Sequence, residues 1–128
     1  MLVHAVGEHA RVWVQGPVRL PPRSLPQPDL ALLRTRSYMR EAATIADALL
    51  VVEVSDTSLR YDRTVKLRLY ARAGIPEYWI VDARAETLEI YRSPSGDQYA
   101  EQRRASRDEH VSPLALSPAT IAVASIFV

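Results

Sequence analysis

Leu49-Leu50-Val51-Val52-Glu53-Val54-Ser55, with Asp56 to Arg72 behind it, is the stretch that decides how this chain folds. A Val-rich apolar run bounded by polar residues predicts a strand buried on both faces. Glu53 interrupts that run. A carboxylate in such a strand needs a nearby cation, a metal ion or a raised pKa. The rest of the sequence is therefore a search for what Glu53 faces.

Ser55-Asp56-Thr57-Ser58 supplies several N-cap candidates. The pattern is helical from about Ser58 to Arg72, and Gly74 followed by Pro76 stops it. At roughly 100° per residue, Arg60, Thr64, Arg68 and Arg72 share a polar face. Leu59, Val65, Leu67, Leu69, Tyr70 and Ala73 mostly occupy the other side. Asp62 and Lys66, four residues apart, fall inside that packing side. One reading is an internal ion pair at the usual helical spacing. The sharper one has Lys66 also pointing at Glu53. Lys66 is the single lysine among 16 Lys and Arg residues, and a compact ammonium does what a planar guanidinium does not.

The 128 residues, 48% of them hydrophobic, predict one globular domain spanning 1–128 with one core. A formal net charge of +1 implies no strong overall attraction to polyanions. Without Cys there are no disulfides and no thiolate zinc site. His4, His9 and His110 are too scattered for a His-rich metal site. No apolar run reaches the roughly 18 residues of a membrane span. The start lacks a basic n-region, so a cytoplasmic location is expected.

Along the chain, Ala10 to Gln15 and then Val18 to Leu20 read as a kinked strand or short hairpin, with Trp13 in the core or an interface. Pro21 to Pro28 is an extended proline-rich loop. Asp29-Leu30-Ala31-Leu32-Leu33 is a short strand led by an aspartate, which by itself reads as a turn residue or cap. Arg34 to Ala46 is polar, with a short helical stretch near Tyr38 to Ala43 and a basic rim of Arg34, Arg36 and Arg40. Glu77 to Asp82 is an aromatic and β-branched strand. Thr87 to Arg92 alternates as a half-exposed strand does, and Ser93 to Asp97 turns back into Gln98 to Arg103. The apolar tail from Val111 to Val128 either closes a sheet edge or meets a partner. Ile121, Val123, Ile126, Phe127 and Val128 would point to a homodimer contact if they were not core.

Asp29 and Glu53 on neighbouring strands, with Lys66 looking back from the helix, form an arrangement that suits a hard divalent cation. Such a cation could act on a phosphodiester, with Lys66 orienting the attacking water or stabilising developing charge. Buried acid–base triads also occur as plain structure.

Several motifs carry a family resemblance. They are Pro28-Asp29-Leu30, Val52-Glu53-Val54-Ser55-Asp56-Thr57-Ser58-Leu59, Tyr61-Asp62-Arg63, Lys66, and Tyr70-Ala71-Arg72-Ala73-Gly74-Ile75-Pro76-Glu77-Tyr78-Trp79-Ile80-Val81-Asp82. In their order and spacing the chain, over roughly Gln15 to Tyr91, resembles the Uma family of "putative" bacterial restriction endonucleases, placed in the PD-(D/E)XK nuclease superfamily. The resemblance implies an α/β (α+β) restriction-endonuclease-like core, with a central mixed sheet flanked by helices. It implies a Mg²⁺- or Mn²⁺-dependent DNA endonuclease with Asp29 and Glu53 as metal ligands and the Val54 carbonyl as a third. Lys66 would be catalytic, and Asp62, Tyr70 and Ser55 would support the site.

Two departures stand out. The superfamily's lysine two residues after the acid falls at Ser55, and Lys66 is its natural substitute. Only Met1 to His9 precede the first strand, so the usual N-terminal helix is missing or shortened, with Glu8 its only acid. A homodimer would cover a sheet left exposed. The alternative function is a non-catalytic nucleic-acid-binding or dimerisation module with a relic nuclease site. In a third reading the acids and Lys66 only hold helix to sheet.

Overall fold

The computed structural model describes residues 10–14, 29–34 and 47–127. Expectations for 1–9, 15–28, 35–46 and Val128, and for the Trp13 side chain, lie outside the described residues. These include the shortened N-terminus with Glu8, the proline-rich loop, the helical stretch near Tyr38 and the Arg36 and Arg40 part of the basic rim.

Six strands form one sheet in sequence order: β1 (Ala10–Val14), β2 (Leu30–Arg34), β3 (Ala48–Ser55), β4 (Glu77–Asp82), β5 (Thr87–Ser95) and β6 (Gln98–Ala105). β1–β2–β3 and β4–β5–β6 are antiparallel meanders. They join through a parallel β3–β4 pair, which needs a crossover. The crossover is one helical segment, α1 (59–72), whose ends Leu59–Tyr61 and Leu67–Arg72 are α-helical and whose middle, Asp62–Lys66, is a π-helical turn. Gly74, at φ 75°, ends α1 in the left-handed conformation. Its N–H donates to the Ala71 carbonyl at 2.9 Å and the Ile75 N–H to the Tyr70 carbonyl at 3.1 Å, the paired bonds of a Schellman cap.

The π-helical turn overturns one expectation. Val65, placed on the packing side by a uniform helical period, is 40% exposed. A π turn takes in an extra residue, so the phase shifts inside Asp62–Lys66 and Val65 rotates outward.

α1 covers one sheet face. Tyr70 and Ala71, with Ile75 just beyond the helix, pack there on Ala31, Leu33, Val51, Tyr78, Ile80, Tyr91 and Tyr99. The C-terminal segment covers the opposite face. There Val111, Leu116, Ile121 and Val123 bury Leu32, Leu50, Val52, Trp79, Leu88 and Ile90, with Ile126 and Phe127 packed alongside. The tail folds into β7 (His110–Val111), β8 (Ile121–Ala122) and two 3₁₀ turns. As far as Phe127 the apolar tail therefore packs into the core, and for those residues that ground for a dimer contact disappears. The same cover explains why β5 is not half-exposed: Leu88, Glu89, Ile90 and Tyr91 are all buried. β5 also runs through Pro94 to Ser95, leaving only Gly96–Asp97 as the turn. A proline is tolerated there because pairing with β4 stops at Arg92, so no partner on that side loses a hydrogen bond.

Glu77 fastens the tail to the sheet. It is fully buried. Its Oε2 accepts from Trp79 Nε1 at 2.8 Å and Arg92 Nε at 2.9 Å, and its Oε1 accepts from the Leu114 N–H at 2.8 Å. Arg92 also donates to the Ser112 carbonyl at 2.6 Å. Removing one member of such a network strands the others away from water. Glu77→Ala is expected to lower the unfolding free energy by about 3 kcal/mol in urea denaturation. A loss under about 1 kcal/mol, the range of a surface pair, would contradict this role.

Candidate active site

Alternation along β3 sets Val51, Glu53 and Ser55 toward α1. Glu53 is fully buried. The β2–β3 register, with Leu30 opposite Val52, brings Asp29 opposite Glu53 just outside β2. The Asp29 N–H donates to Glu53 Oε1 at 3.1 Å, and the Val54 N–H donates to Asp29 Oδ2 at 2.8 Å. The two carboxylates are thus fixed side by side where β2 begins and β3 ends, Glu53 by the Asp29 N–H and Asp29 by the Val54 N–H.

α1 supplies the partners. The Tyr70 hydroxyl donates to Glu53 Oε2 at 2.7 Å. The Lys66 ammonium lies 3.0 Å from the same oxygen and 3.3 Å from Asp62 Oδ1. Asp62 Oδ1 is buried and has no directed hydrogen bond, so the ammonium is its electrostatic partner. Asp62 Oδ2 accepts from Ser58 Oγ at 2.9 Å and closely from Ser55 Oγ. Tyr78 donates to the Asp62 carbonyl at 2.9 Å. Ser58 takes the N-cap position, yet its hydroxyl serves Asp62 rather than a helix N–H.

The structure therefore brings Asp29, Glu53, Asp62, Lys66, Tyr70 and Ser55 together. Val54 joins through its N–H, and its side chain is exposed. Two parts escaped the sequence reading. Tyr78 and Ser58 support Asp62 through contacts that no spacing reveals. Beside the site, Arg63 grips the buried carboxylate of Glu89 through Nε at 3.0 and 2.9 Å and closely through Nη2, and Tyr91 donates to the same carboxylate at 2.6 Å. A signal for Glu89 existed. Like Glu53, it is an acid at an inward position of an apolar strand.

Burial pushes the Glu53 carboxyl above its ordinary value, against the bonds from Tyr70, Lys66 and the Asp29 amide. Burial works against the Lys66 ammonium, but Glu53 and Asp62 outweigh it and raise its pKa. Burial, reinforced by Glu53, raises the Tyr70 hydroxyl, which stays a donor.

Two carboxylates, Glu53 and Asp62, meet one ammonium here, and the Asp29 carboxylate lies beside them on the Val54 N–H. That excess of negative charge suits a divalent cation. Among the described residues no group of three or more His, Cys, Asp or Glu converges on one point. The donor set is thus not a closed cage. It fits Mg²⁺ or Mn²⁺ held by one or two carboxylates, with waters and substrate phosphates completing the shell.

A family model described as "Putative restriction endonuclease", Uma2, matches residues 2–124. The chain belongs to the Uma2 family. A crystal structure of "a putative nuclease belonging to DUF820" from Anabaena variabilis has the same fold. It aligns with a TM-score of 0.67 at 16% identity over 94% of this chain and 69% of that one. No curated protein matches the chain. The mixed sheet with a crossover helix agrees with the expected restriction-endonuclease-like core.

A raised Glu53 pKa means that, between the ordinary glutamate range and the folded value, the native state binds more protons than the unfolded one. Its contribution to stability therefore falls as pH rises through that window. Glu53→Gln removes the ionisation. The stability of the variant minus that of wild type is expected to increase from pH 4 to pH 8 in denaturant titrations. A difference that is flat or decreasing with pH would contradict a burial-raised carboxyl.

Proposed function

We propose that this Uma2 protein is a Mg²⁺- or Mn²⁺-dependent endonuclease that hydrolyses phosphodiester bonds in DNA, with the catalytic lysine moved from the strand to α1. The observation that carries it is the buried Glu53 carboxylate shared by Lys66, Tyr70 and the Asp29 N–H, with the Asp29 carboxylate beside it. In this reading Asp29 and Glu53 hold the cation, with the Val54 carbonyl as a third donor. When bound, the cation supplies Lewis-acid charge neutralisation and hydroxide at neutral pH.

The chain's own residues do the rest. With its pKa raised, Lys66 stays an ammonium at neutral pH. An ammonium has no lone pair for a proton. Lys66 therefore orients the water and stabilises negative charge on the phosphoryl oxygens rather than acting as a base. Tyr70 fixes the rotamer of Glu53. Asp62, held by Ser55 and Ser58, fixes Lys66. A single domain over 1–128 and a cytoplasmic location belong to the same proposal. No helix among the described residues is long and apolar enough to cross a membrane. A homodimer is supported by the exposed apolar side chains Val54, Tyr61 and Val65.

One observation favours the alternative, a non-catalytic nucleic-acid-binding or dimerisation module. Both Glu53 oxygens already accept from protein donors, which a relic site would keep for stability alone. Plasmid cleavage separates the two. Nicking with Mg²⁺ or Mn²⁺ is expected, abolished by EDTA and reduced at least about 100-fold in Glu53→Ala and Lys66→Ala. No nicking by folded protein with either metal would overturn the nuclease reading.

A further inference from the structure

α1 has two flanks over the sheet. Lys66 reaches down one flank to Glu53 on β3. Arg63, three residues earlier, reaches toward Glu89 on β5. Beyond Arg63 the sheet face opens into a cavity of about 460 Å³ lined by Arg63, Glu89, Tyr91, Gln102, Arg103 and Arg104. The β5–β6 register builds its floor, with Glu89 opposite Arg104 and Tyr91 opposite Gln102. Both β6 residues are exposed.

The charges in this cleft are not mutually cancelled. The Glu89 carboxylate is committed to Arg63 and Tyr91. Arg103 pairs with Glu109 at 3.1 Å. The Arg104 side chain has no hydrogen bond or ion pair among the described residues, although it sits across from Glu89. Arg63 spends Nε and Nη2 on Glu89, which leaves the Nη1 donors free on a guanidinium whose orientation is already fixed. A locked guanidinium, an unpaired one and an amide around one cavity make a recognition site for an oxyanion. In a chain whose formal net charge is only +1, this is a local concentration of positive charge.

We propose that this arginine cleft binds a backbone phosphate of the DNA strand held at the Glu53–Lys66 site, so that α1 lies between the scissile phosphate and a flanking one. The proposal rests on the nuclease reading above. Its scale is consistent. From β3 to β6 is three strand spacings, about 14 Å. Neighbouring phosphates of one strand lie farther apart in space than the roughly 3.4 Å axial rise, so the contacted phosphate is a near neighbour of the scissile one on the strand. A phosphate contact positions the strand without reading its sequence.

The test is fluorescence anisotropy of a labelled DNA duplex in EDTA over a NaCl series, with plasmid cleavage measured in parallel. Arg104→Gln is expected to weaken binding several-fold on any sequence and to make the log K against log salt slope shallower by about 0.9. Arg104→Lys should restore the slope. Arg63→Gln strips Glu89 of its cation and risks the fold, so the exposed Arg104 carries the decision. Unchanged affinity and slope in Arg104→Gln would overturn the cleft, as would a wild-type protein that does not bind duplex. Metal-dependent cleavage with an unaltered slope rejects the cleft alone. A shifted slope without any cleavage rejects the nuclease reading and leaves the cleft as a DNA contact.

Discussion

The constraint behind the site is the burial of one carboxylate. Glu53 sits in an apolar strand with no exposed surface, where an unpaired charge is prohibitive. The fold answers with the Asp29 amide from β2 and with Tyr70 and Lys66 from α1. The parallel β3–β4 pair makes this possible, because its crossover helix must lie over the strand that carries Glu53. Each of those donors also fixes an element. β2 is held in register, and α1 is held at one height along β3.

The π-helical turn belongs to the same account. Asp62 and Lys66 bracket it, and both point at β3. π turns inside helices cost regularity and recur at functional sites. Here the turn exposes Val65 while keeping an acid and a base on the buried side. A helix serving packing alone would favour the reverse arrangement. Glu77 offers a contrast. It too is a fully buried acid, yet Arg92, Trp79 and the Leu114 amide satisfy it completely, and it ties the tail to the sheet.

Much of this was legible in the sequence because the decisive signals are local. The apolar run at Leu49–Ser55, the stop at Gly74 and the β-branched run at Glu77–Asp82 each mark an element by period and composition. A Glu inside an apolar strand and a lone Lys on a packing face point at each other without any structure. The failures share a cause, which is that tertiary cover is not local. Nothing in Thr87–Arg92 says that Val111, Leu116 and Ile121 will bury its second face. A uniform period cannot anticipate the phase shift that exposes Val65. The Arg63–Glu89 grip joins residues 26 apart, a distance no motif spans.

The central claim is that Asp29 and Glu53 form a cation site steered by Lys66, rather than a network that merely joins helix to sheet. Titration of Mn²⁺ into the folded protein, read by electron paramagnetic resonance, tests it most directly. The account predicts bound Mn²⁺ in wild type, lost in Asp29→Asn and in Glu53→Gln and kept in Lys66→Met. Binding that ignores both carboxylate substitutions, or no binding at all by wild type, would contradict it.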